Sequence, residues 1–364
     1  MLKGYELLEI AAVGAILILS VLISGCIEEK PNTTENTSQN KTNTTTHGNI
    51  ELKVFHAGSL TEPLAELEKE FENHYKNIDV QREAAGSVQT IKKVTELHKD
   101  ADVVVSADAF LIPQMMYPNY SDFTIKFATN DIVIAYTNKS SHWNEINKDN
   151  WYQILRKDDV KFGFSNPNND PCGYRSIMTM QLAEFKYNDS KIFDDLVEKN
   201  INIKANCESE NLTCMIVVPN STQINPNTNK VMVRSLEMEL ISGLQSREID
   251  YFFIYRSIAV QHKFNFVELP LEINLKDETK NEIYKRVKVK LADGKVQQGN
   301  AIVYGVTIPK NAKNKKQAIE FVKLIISEDG RKIFGNLGQP PINPAIADNI
   351  SNVPDELRNF VVEE

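Results

Sequence analysis

The sequence lacks several motifs that are common in hydrolases and nucleotide-binding enzymes. It has no His-Glu-x-x-His metal motif, no Gly-x-Ser-x-Gly nucleophile elbow and no phosphate-binding loop. It has two tryptophans, Trp143 and Trp151, whereas sugar-binding clefts usually offer broad aromatic platforms. These absences argue against an enzyme, although two carboxylates on opposite sides of a cleft would also fit a secreted glycoside hydrolase.

Clustered positive charge is missing as well. The formal net charge is −8, and no stripe of Lys and Arg runs along the chain. Because proteins hold phosphate backbones with clustered Lys and Arg, this pattern argues against nucleic acid as a partner. If the ligand is an anion, its attraction must come from local hydrogen-bond donors rather than from the overall field.

The apolar run near the N-terminus is shorter than a transmembrane helix. Residues 10–23 are almost unbroken apolar sequence, whereas a membrane span needs about 20 residues. The run ends in Ile-Ser-Gly before Cys26, which is typical of a lipoprotein signal peptide. We expect cleavage of residues 1–25 and a lipid on Cys26, which would anchor the protein to the extracellular face of the cell membrane. The alternative is an uncleaved anchor helix, which would leave the chain on the same side.

Residues 26–49 are predicted to form a disordered tether. The stretch 30–48 is rich in Asn, Thr, Ser, Gln and Lys and has no large apolar side chain, so it cannot bury enough surface to offset chain entropy. Overlapping glycosylation sequons fall within it, at Asn32, Asn36, Asn40 and Asn43.

Three cysteines remain after Cys26. Cys207 and Cys214 lie close together in a polar stretch, so a disulfide that staples one loop outside the cell is one possibility. Cys172 would then be free within another polar loop. A thiol ligand or nucleophile is conceivable there, but no His lies near it in the sequence, and we expect its backbone N–H to point into the site.

The remaining about 315 residues are enough for two domains. In the first part, strands are predicted at residues 50–56, 80–83 and 101–106, and helices at 62–75 and 88–97. This βαβ order predicts a doubly wound sheet flanked by helices.

A second sheet is predicted from the middle of the chain. Its strands are expected at residues 131–136, 162–164, 215–218 and 251–254, and helices are expected at 174–185 and 236–244. Strands at 264–269 and 301–308 then lead to a helical segment at 316–334.

Two Gly-Ser turns follow the ends of the first two predicted strands. Gly58-Ser59 and Gly86-Ser87 each precede a predicted helix. Glycine lets the backbone approach a ligand, while the serine hydroxyl and the unpaired N–H groups of the helix can donate to an anion. A single Gly-Ser turn is more often a helix cap. Two of them at equivalent strand ends predict a cradle for a small oxyanion.

A polar loop at residues 166–176 carries the other part of the predicted site. It delivers Asp170 to the start of a helix, and Glu237 is a second candidate carboxylate. Each also has an ordinary interpretation. Asp170 fits a helix-entry position, and Glu237 fits the first turn of a helix capped by Ser235. Arg175 would either pair with Asp170 or be solvated.

Several motifs together resemble one family. They are Phe-His-Ala-Gly-Ser-Leu at residues 55–60, Ala-Ala-Gly-Ser-Val at 84–88, Asp-Pro-Cys-Gly-Tyr-Arg-Ser at 170–176, Asp-Tyr-Phe-Phe-Ile-Tyr-Arg-Ser at 250–257 and Gly-Gln-Pro-Pro at 338–341. Over residues 52–345 the sequence is similar to the archaeal tungstate/molybdate-binding proteins of ABC transporters, the ModA/WtpA family. The motif at 170–176 is the most specific part of it.

The resemblance implies a two-lobed periplasmic-binding-protein fold of type II, with mixed sheets flanked by helices. Lobe 1 would comprise residues 50–129 and 265–345, lobe 2 would comprise 130–264, and 346–364 would be a C-terminal tail. The lobes would be hinged by crossover strands near 127–136 and 264–269. The family also implies a monomer without cofactor or catalysis that delivers its ligand to an ABC permease with a cytoplasmic ATPase.

The resemblance also implies a ligand set. Ser59 and Ser87 would contact the oxyanion from lobe 1, and lobe 2 would contribute the residues Asp170, Cys172, Glu237 and Tyr255. The two carboxylates would bind the tungsten or molybdenum centre itself and make it six-coordinate. Tyr255 has the alternative role of a core residue at a strand end.

Coordination chemistry explains why acidic residues would face an anion. Two unit charges of like sign 4 Å apart repel by roughly 4 kcal/mol at an effective dielectric near 20. Tungsten(VI) and molybdenum(VI) can expand their coordination and accept hard oxygen donors, whereas sulfur(VI) and phosphorus(V) do not readily do so. The carboxylates would therefore select against sulfate and phosphate. A site for sulfate, phosphate or a chelated cation is the remaining alternative.

Overall fold

The computed structural model describes residues 50–208 and 212–364. The signal peptide predicted at 1–25, the lipidation of Cys26 and the tether predicted at 26–49 lie outside the described residues. In the ranges that are described, no helix has the length and apolar character needed to cross a membrane.

The strands follow one another through the whole described chain. In chain order they are β1 (Ile50–Ala57), β2 (Ile78–Ala85), β3 (Val103–Ser106), β4 (Ile125–Asn130), β5 (Ile132–Tyr136), β6 (Phe162–Ser165), β7 (Lys204–Glu208), β8 (Thr213–Val217), β9 (Val231–Arg234), β10 (Tyr251–Tyr255), β11 (Asn265–Glu268), β12 (Val287–Lys290), β13 (Val296–Gln298), β14 (Ile302–Thr307), β15 (Pro341–Ala347) and β16 (Val361–Glu363).

The helices alternate with these strands. In chain order they are α1 (Thr61–His74), α2 (Ser87–Thr95), α3 (Leu111–Met116), α4 (Trp151–Arg156), α5 (Pro171–Tyr187), α6 (Glu239–Gln245), α7 (Arg256–Gln261), α8 (Asn281–Tyr284), α9 (Lys315–Ile326), α10 (Glu328–Asn336) and α11 (Asp355–Arg358). The mixed α/β fold class predicted from the sequence is confirmed.

A seven-stranded sheet is built from the two ends of the described chain. Its strand order is β16-β15-β4-β14-β3-β1-β2. β1 pairs in parallel with both β2 and β3, while β14 runs antiparallel to β3 and β4. The apolar side of β1 packs with α1 and α9 in one core that includes Leu52, Val54, Phe71 and Phe321. The predicted doubly wound start of the chain is therefore present.

A five-stranded sheet is built from the middle of the chain, in the order β11-β5-β10-β6-β9. β10 lies at its centre, antiparallel to β5 and parallel to β6, and all its residues are buried. Its near-continuous apolar sequence fits a strand covered on both faces. The long helix α5 packs against β5, β6 and β10.

A separate four-stranded sheet corrects one prediction. The strand expected at residues 215–218 is β8, but it does not join the five-stranded sheet. β8 forms an antiparallel hairpin with β7 and pairs in parallel with β12, in the order β13-β12-β8-β7. Cys207 and Cys214 face each other in this hairpin with their sulfurs 2.00 Å apart, as in a disulfide. The pairings with β7 and β12 occupy both edges of β8.

The helical segment predicted at 316–334 is two helices rather than one. α9 ends at Ile326 and α10 begins at Glu328. Ser327 between them has extended backbone angles, and its side chain accepts a hydrogen bond from the backbone nitrogen of Gly330 at 3.1 Å. A serine that caps the second helix therefore interrupts the first.

The chain passes directly from the seven-stranded to the five-stranded sheet between β4 and β5. Asn130 ends β4, and its side-chain amide donates to the hydroxyls of Ser257 at 2.8 Å and Tyr304 at 2.7 Å. Ser257 lies in α7 beside β10, whereas Tyr304 lies in β14. This buried asparagine thus joins groups from both sheets at the crossover predicted near 127–136.

Candidate functional site

Asp170 is the N-cap of α5. Its Oδ1 accepts a hydrogen bond from the backbone nitrogen of Cys172 at 2.9 Å, and Pro171 occupies the first helical position. Aspartate at the N-cap and proline at the next position both favour a helix start. The carboxylate is buried and its Oδ2 accepts a second hydrogen bond, from the backbone nitrogen of Glu237 at 2.7 Å. Both oxygens are therefore fixed in direction.

The helix begins unusually close to strand β6. A Cβ atom added at Gly173 would lie 2.2 Å from the carbonyl oxygen of Ser165 and 2.8 Å from the carbonyl carbon of Asn166. Only glycine fits between the two backbones. This close approach holds Asp170 near the carboxyl end of β6, where ligands collect in open α/β sheets.

Glu237 lies in the turn between β9 and α6. The helix expected from residue 236 begins at Glu239, so Glu237 is not in its first turn, and Ser235 does not cap it through a side-chain hydrogen bond. Two hydrogen bonds fix the conformation of this turn. Asp170 accepts from the backbone nitrogen of Glu237 at 2.7 Å, and the side chain of Glu239 accepts from the backbone nitrogen of Ser235 at 3.2 Å.

The Glu237 carboxylate is electrostatically unusual. The residue is half-buried, but its Oε2 is buried and has no hydrogen-bond partner among the described residues. Burial raises the pKa of Glu237 well above its usual range, and the charge on Asp170 raises it further. A buried carboxylate oxygen without a partner is costly unless something else binds it.

Tyr255 and Arg175 form the neighbouring part of the site. Tyr255 ends β10 and is buried, and its hydroxyl accepts a hydrogen bond from Nη1 of Arg175 at 2.6 Å. Burial raises the pKa of Tyr255, and the positive charge of Arg175 opposes that rise. Arg175 is itself buried, so it is not solvated, and the structure places its close contact on Tyr255 rather than on Asp170.

The two Gly-Ser turns lie at the same edge of the seven-stranded sheet. Ala57 and Ala85, which end β1 and β2, are direct partners in the parallel register. Ser59 lies in a short 3₁₀ turn after β1, and its Oγ accepts a hydrogen bond from the hydroxyl of Tyr304 at 3.2 Å. Ser87 is the first residue of α2, and its Oγ accepts from the backbone nitrogen of Ala107 at 3.1 Å.

Cys172 is fully buried with a free thiol. Its backbone N–H donates to Asp170, so this amide serves the helix cap in this structure. Burial raises the pKa of the Cys172 thiol, and the charges on Glu237 and Asp170 add to the effect. Because a reactive cysteine must form the thiolate, this environment does not support a nucleophile.

Tyr304 shows that the two halves of the site face each other. Burial raises the pKa of its hydroxyl, hydrogen bonds with Ser59 and Asn130 oppose the rise, and the charges of Arg175 and Glu237 also act on it. Tyr304 belongs to the seven-stranded sheet, whereas Glu237 and Arg175 belong to elements that contact the five-stranded sheet. Ser59, Arg175 and Glu237, which come from separate parts of the sequence, therefore lie around Tyr304.

The sequence reasoning missed Asp108, Asn130, Tyr304 and Gln339. Nη2 of Arg175 lies 3.9 Å from Oδ2 of Asp108, and the side chain of Gln339 donates to the carbonyl of Ser59 at 3.0 Å. None of these residues carried a local signal, although Gln339 lies within one of the motifs that resemble the family. Among the described residues, no cluster of three or more His, Cys, Asp and Glu side chains could hold a metal ion.

Comparison with known proteins places the chain in a class. Residues 52–338 match the family described as bacterial extracellular solute-binding protein. The periplasmic molybdate-binding protein of Azotobacter vinelandii is similar in structure, with a TM-score of 0.50, 14% identity, and 79% of this chain and 98% of that chain covered. The fold is the type II periplasmic-binding-protein fold expected from the sequence.

Curated relatives are much closer in sequence. A protein from Methanococcus aeolicus named an uncharacterized solute-binding protein is 48% identical over 90% of this chain and 92% of its own length. The molybdate/tungstate-binding protein WtpA of Thermococcus kodakarensis is 44% identical over 95% of each chain, and that of Pyrococcus abyssi is 45% identical over 85% of this chain and 89% of its own. The chain therefore belongs to the extracellular solute-binding protein family, in the group that includes the WtpA proteins.

Proposed function

We propose that this protein captures tungstate or molybdate in the cleft between two lobes and delivers it to an ABC permease. One lobe would be built on the seven-stranded sheet and the other on the five-stranded sheet. The single observation that carries the proposal is the carboxylate of Glu237, whose Oε2 is buried next to Asp170 and has no hydrogen-bond partner within residues 50–208 and 212–364. The similarity to proteins named molybdate/tungstate-binding supports the same ligand class.

The two carboxylates would act as ligands of the metal centre. Asp170 is held by two backbone N–H groups, which leaves lone pairs on both of its oxygens. A hard, highly charged metal centre would bind Glu237 and offset the unfavourable burial of its negative charge. Ser59, Ser87 and Tyr255 would donate to the oxo groups, and binding energy shared by both halves would favour the closed form.

Calorimetry with four anions tests the ligand class. The purified chain should bind tungstate and molybdate tightly and bind sulfate and phosphate far more weakly, because only the first two can accept carboxylate ligands. A sulfate affinity comparable to that for tungstate would overturn the proposed selectivity. Tight binding of a divalent cation in place of any oxyanion would favour the chelated-cation alternative.

X-ray absorption of the tungstate-loaded protein tests the coordination. Six oxygen neighbours around tungsten are expected if Asp170 and Glu237 are ligands. Four neighbours at tetrahedral distances would reject the carboxylate ligands without rejecting binding, so this measurement separates the two parts of the proposal.

We also propose that residues 1–25 are removed and that Cys26 carries a lipid, so that a monomer works at the extracellular face of the membrane. The motif before Cys26 supports this. Cys26→Ser should release the protein from the membrane fraction, and mass spectrometry of the mature N-terminus should find a lipid-modified cysteine. An unmodified Cys26 in the membrane-bound protein would favour the anchor-helix alternative.

A further inference from the structure

Arg175 is a buried cation that the proposed ligand set does not use. It lies on α5 below the N-cap, and its guanidinium carbon is 5.6 Å from the ring centre of Tyr174 and 5.8 Å from that of Tyr255. Its Nη1 donates to the Tyr255 hydroxyl at 2.6 Å. A planar guanidinium can donate a hydrogen bond to one group from one nitrogen and interact with a second group through another nitrogen.

A second nitrogen of Arg175 approaches Asp108, which lies in the loop after β3 of the seven-stranded sheet. Nη2 is 3.9 Å from Oδ2 of Asp108. Asp108 is held in place by its own loop, since its Oδ1 accepts from the backbone nitrogen of Phe110 at 3.1 Å and its backbone nitrogen donates to Ser106 at 3.1 Å. The remaining carboxylate oxygen is thereby directed at the guanidinium.

The loop that carries Asp108 also contacts one of the proposed ligands. Ala107, one residue earlier, donates its backbone N–H to the hydroxyl oxygen of Ser87 at 3.1 Å. The path from Ser87 through Asp108 and Arg175 to Tyr255 therefore crosses from one half of the site to the other. The ion pair between Asp108 and Arg175 is the one ionic contact along this path.

We propose that Arg175 is a positioning residue of the oxyanion site and that its pairing with Asp108 holds the two lobes closed. The proposal rests on the proposed function above. Arg175 orients the Tyr255 hydroxyl toward the ligand and supplies a positive charge beside Asp170 and Glu237. Asp108 reaches Arg175 only when the Ser87 half and the Tyr255 half meet, so the pair forms on closure and breaks on opening.

Asp108→Asn is the direct test, because asparagine keeps the size of the side chain and removes its charge. We expect a tungstate affinity about tenfold lower, mainly through faster dissociation, with an unchanged unfolding midpoint of the ligand-free protein. Arg175→Lys should weaken binding further because lysine cannot hold Tyr255 and Asp108 together. In an Arg175→Gln background, which lacks the positive charge, Asp108→Asn should have no additional effect.

Asp122→Asn is the matched control. Asp122 pairs with Lys310 at 2.7 Å, but both side chains are exposed and both residues lie on the side of the seven-stranded sheet alone. This variant should leave the affinity for tungstate and its dissociation rate unchanged. A loss equal to that of Asp108→Asn would show that removing any acidic charge weakens binding and would overturn the proposal.

Distance measurements without ligand separate this proposal from the proposed function. Spin labels on cysteines introduced at the exposed residues Leu97 and Trp143 would report the open and closed populations. Asp108→Asn should lower the closed fraction of the ligand-free protein as well as the tungstate-bound one. If the closed fraction does not change, the pairing does not hold the lobes closed. If Asp108→Asn lowers the closed fraction but the wild-type protein binds no oxyanion, the proposed function fails and the role of the pair stands.

Discussion

Oδ2 of Asp170 accepts a hydrogen bond from the backbone nitrogen of Glu237 at 2.7 Å, and these residues lie 67 positions apart in the sequence. The other oxygen of Asp170 caps α5 through the backbone nitrogen of Cys172. Asp170 therefore fixes the helix start and the turn of the second carboxylate at the same time. Glu237, in contrast, keeps one oxygen without a partner among the described residues. The two acidic residues have different tasks even though they belong to one site.

Asp170→Asn should damage both stability and binding. An amide offers one oxygen acceptor in place of two, so either Cys172 or Glu237 loses the partner of its backbone N–H. We expect a loss of about 1–2 kcal/mol in the free energy of unfolding of the ligand-free protein and a tungstate affinity at least about tenfold lower because the Glu237 turn is released. Urea denaturation and calorimetry measure the two effects.

Asp277→Asn provides the control for the cap itself. Oδ1 of Asp277 accepts from the backbone nitrogen of Thr279 at 2.9 Å, which is the same local geometry as at Asp170, but it serves a different turn. Asparagine keeps the single acceptor that this cap uses, so the variant should keep both its stability and its affinity for tungstate. An Asp170→Asn protein that binds tungstate as the wild type does would contradict a role for Asp170 at the ligand.

Glu237→Gln should separate stability from binding. Burial and the nearby Asp170 raise the pKa of Glu237, so its ionised form is unfavourable in the ligand-free fold. A neutral glutamine removes that repulsion, and we expect the unfolding free energy to stay equal or to rise by up to about 1 kcal/mol. Tungstate affinity should nevertheless fall at least about tenfold because a metal ligand is lost.

Glu239→Gln is the matched control for Glu237→Gln. Glu239 is exposed at the start of α6, two residues further along, and its carboxylate accepts from the backbone of Ser235. Removing its charge should leave oxyanion affinity nearly unchanged. If Glu237→Gln instead binds tungstate more tightly than the wild type, the carboxylate only repels the anion and is not a ligand.

Gly173→Ala tests the close packing that positions the site. The added methyl group would lie 2.2 Å from the Ser165 carbonyl oxygen, and neither backbone can move away without disturbing β6 or α5. We expect a loss of at least about 2 kcal/mol in unfolding free energy. Gly58→Ala is the control, since a methyl group there meets nothing within 4 Å, and its unfolding free energy should change by less than about 1 kcal/mol. Equal losses in the two variants would contradict this account.

Much of the strand framework could be predicted from the sequence because the buried strands have near-continuous apolar sequences. Strands expected at 50–56 and 251–254 correspond to Ile50–Ala57 and Tyr251–Tyr255. The two Gly-Ser turns were expected at equivalent strand ends, and the parallel register of Ala57 with Ala85 puts them there. Local patterns suffice where a strand is covered on both faces.

Other features depend on contacts that no local pattern encodes. β8 looked like a strand of the second sheet, but its partners are the β7 hairpin and β12, which is remote in sequence. Arg175 was expected beside Asp170 or in solvent. Five residues along an α-helix turn a side chain by about 140° relative to the first, so Arg175 faces Tyr255 and Asp108 instead. Those partners come from other strands and loops, and tertiary structure alone brings them together.

Asp131, at the crossover between β4 and β5, predicts a pH dependence of stability. Its side chain is buried, and Oδ1 has no hydrogen-bond partner among the described residues. Burial raises the pKa of Asp131 from 3.8 to about 6, although Lys276 and Arg256 oppose the rise. Above that pH the Asp131 carboxyl is ionised in both states. The ionised form is less favourable in the folded protein, where it is buried, than in the unfolded chain, where it is solvated. The contribution of Asp131 therefore becomes more favourable as the pH falls from about 6 toward about 4.

Asp131→Asn should raise the unfolding free energy at pH 7.5 by about 1–3 kcal/mol, because it removes a buried charge whose pKa is raised by about two units. The gain should shrink as the pH falls below about 6 and vanish once the pH is below 3.8, where the wild-type carboxyl also becomes neutral in the unfolded chain. Urea denaturation of both proteins across this range measures the difference. Asp102→Asn is the opposite control, because the Asp102 carboxylate accepts from the backbone nitrogens of Lys53 and Asn314 and its neutralisation should destabilise the protein. A difference between wild type and Asp131→Asn that does not vary with pH would mean that packing, and not the charge at this crossover, sets its effect.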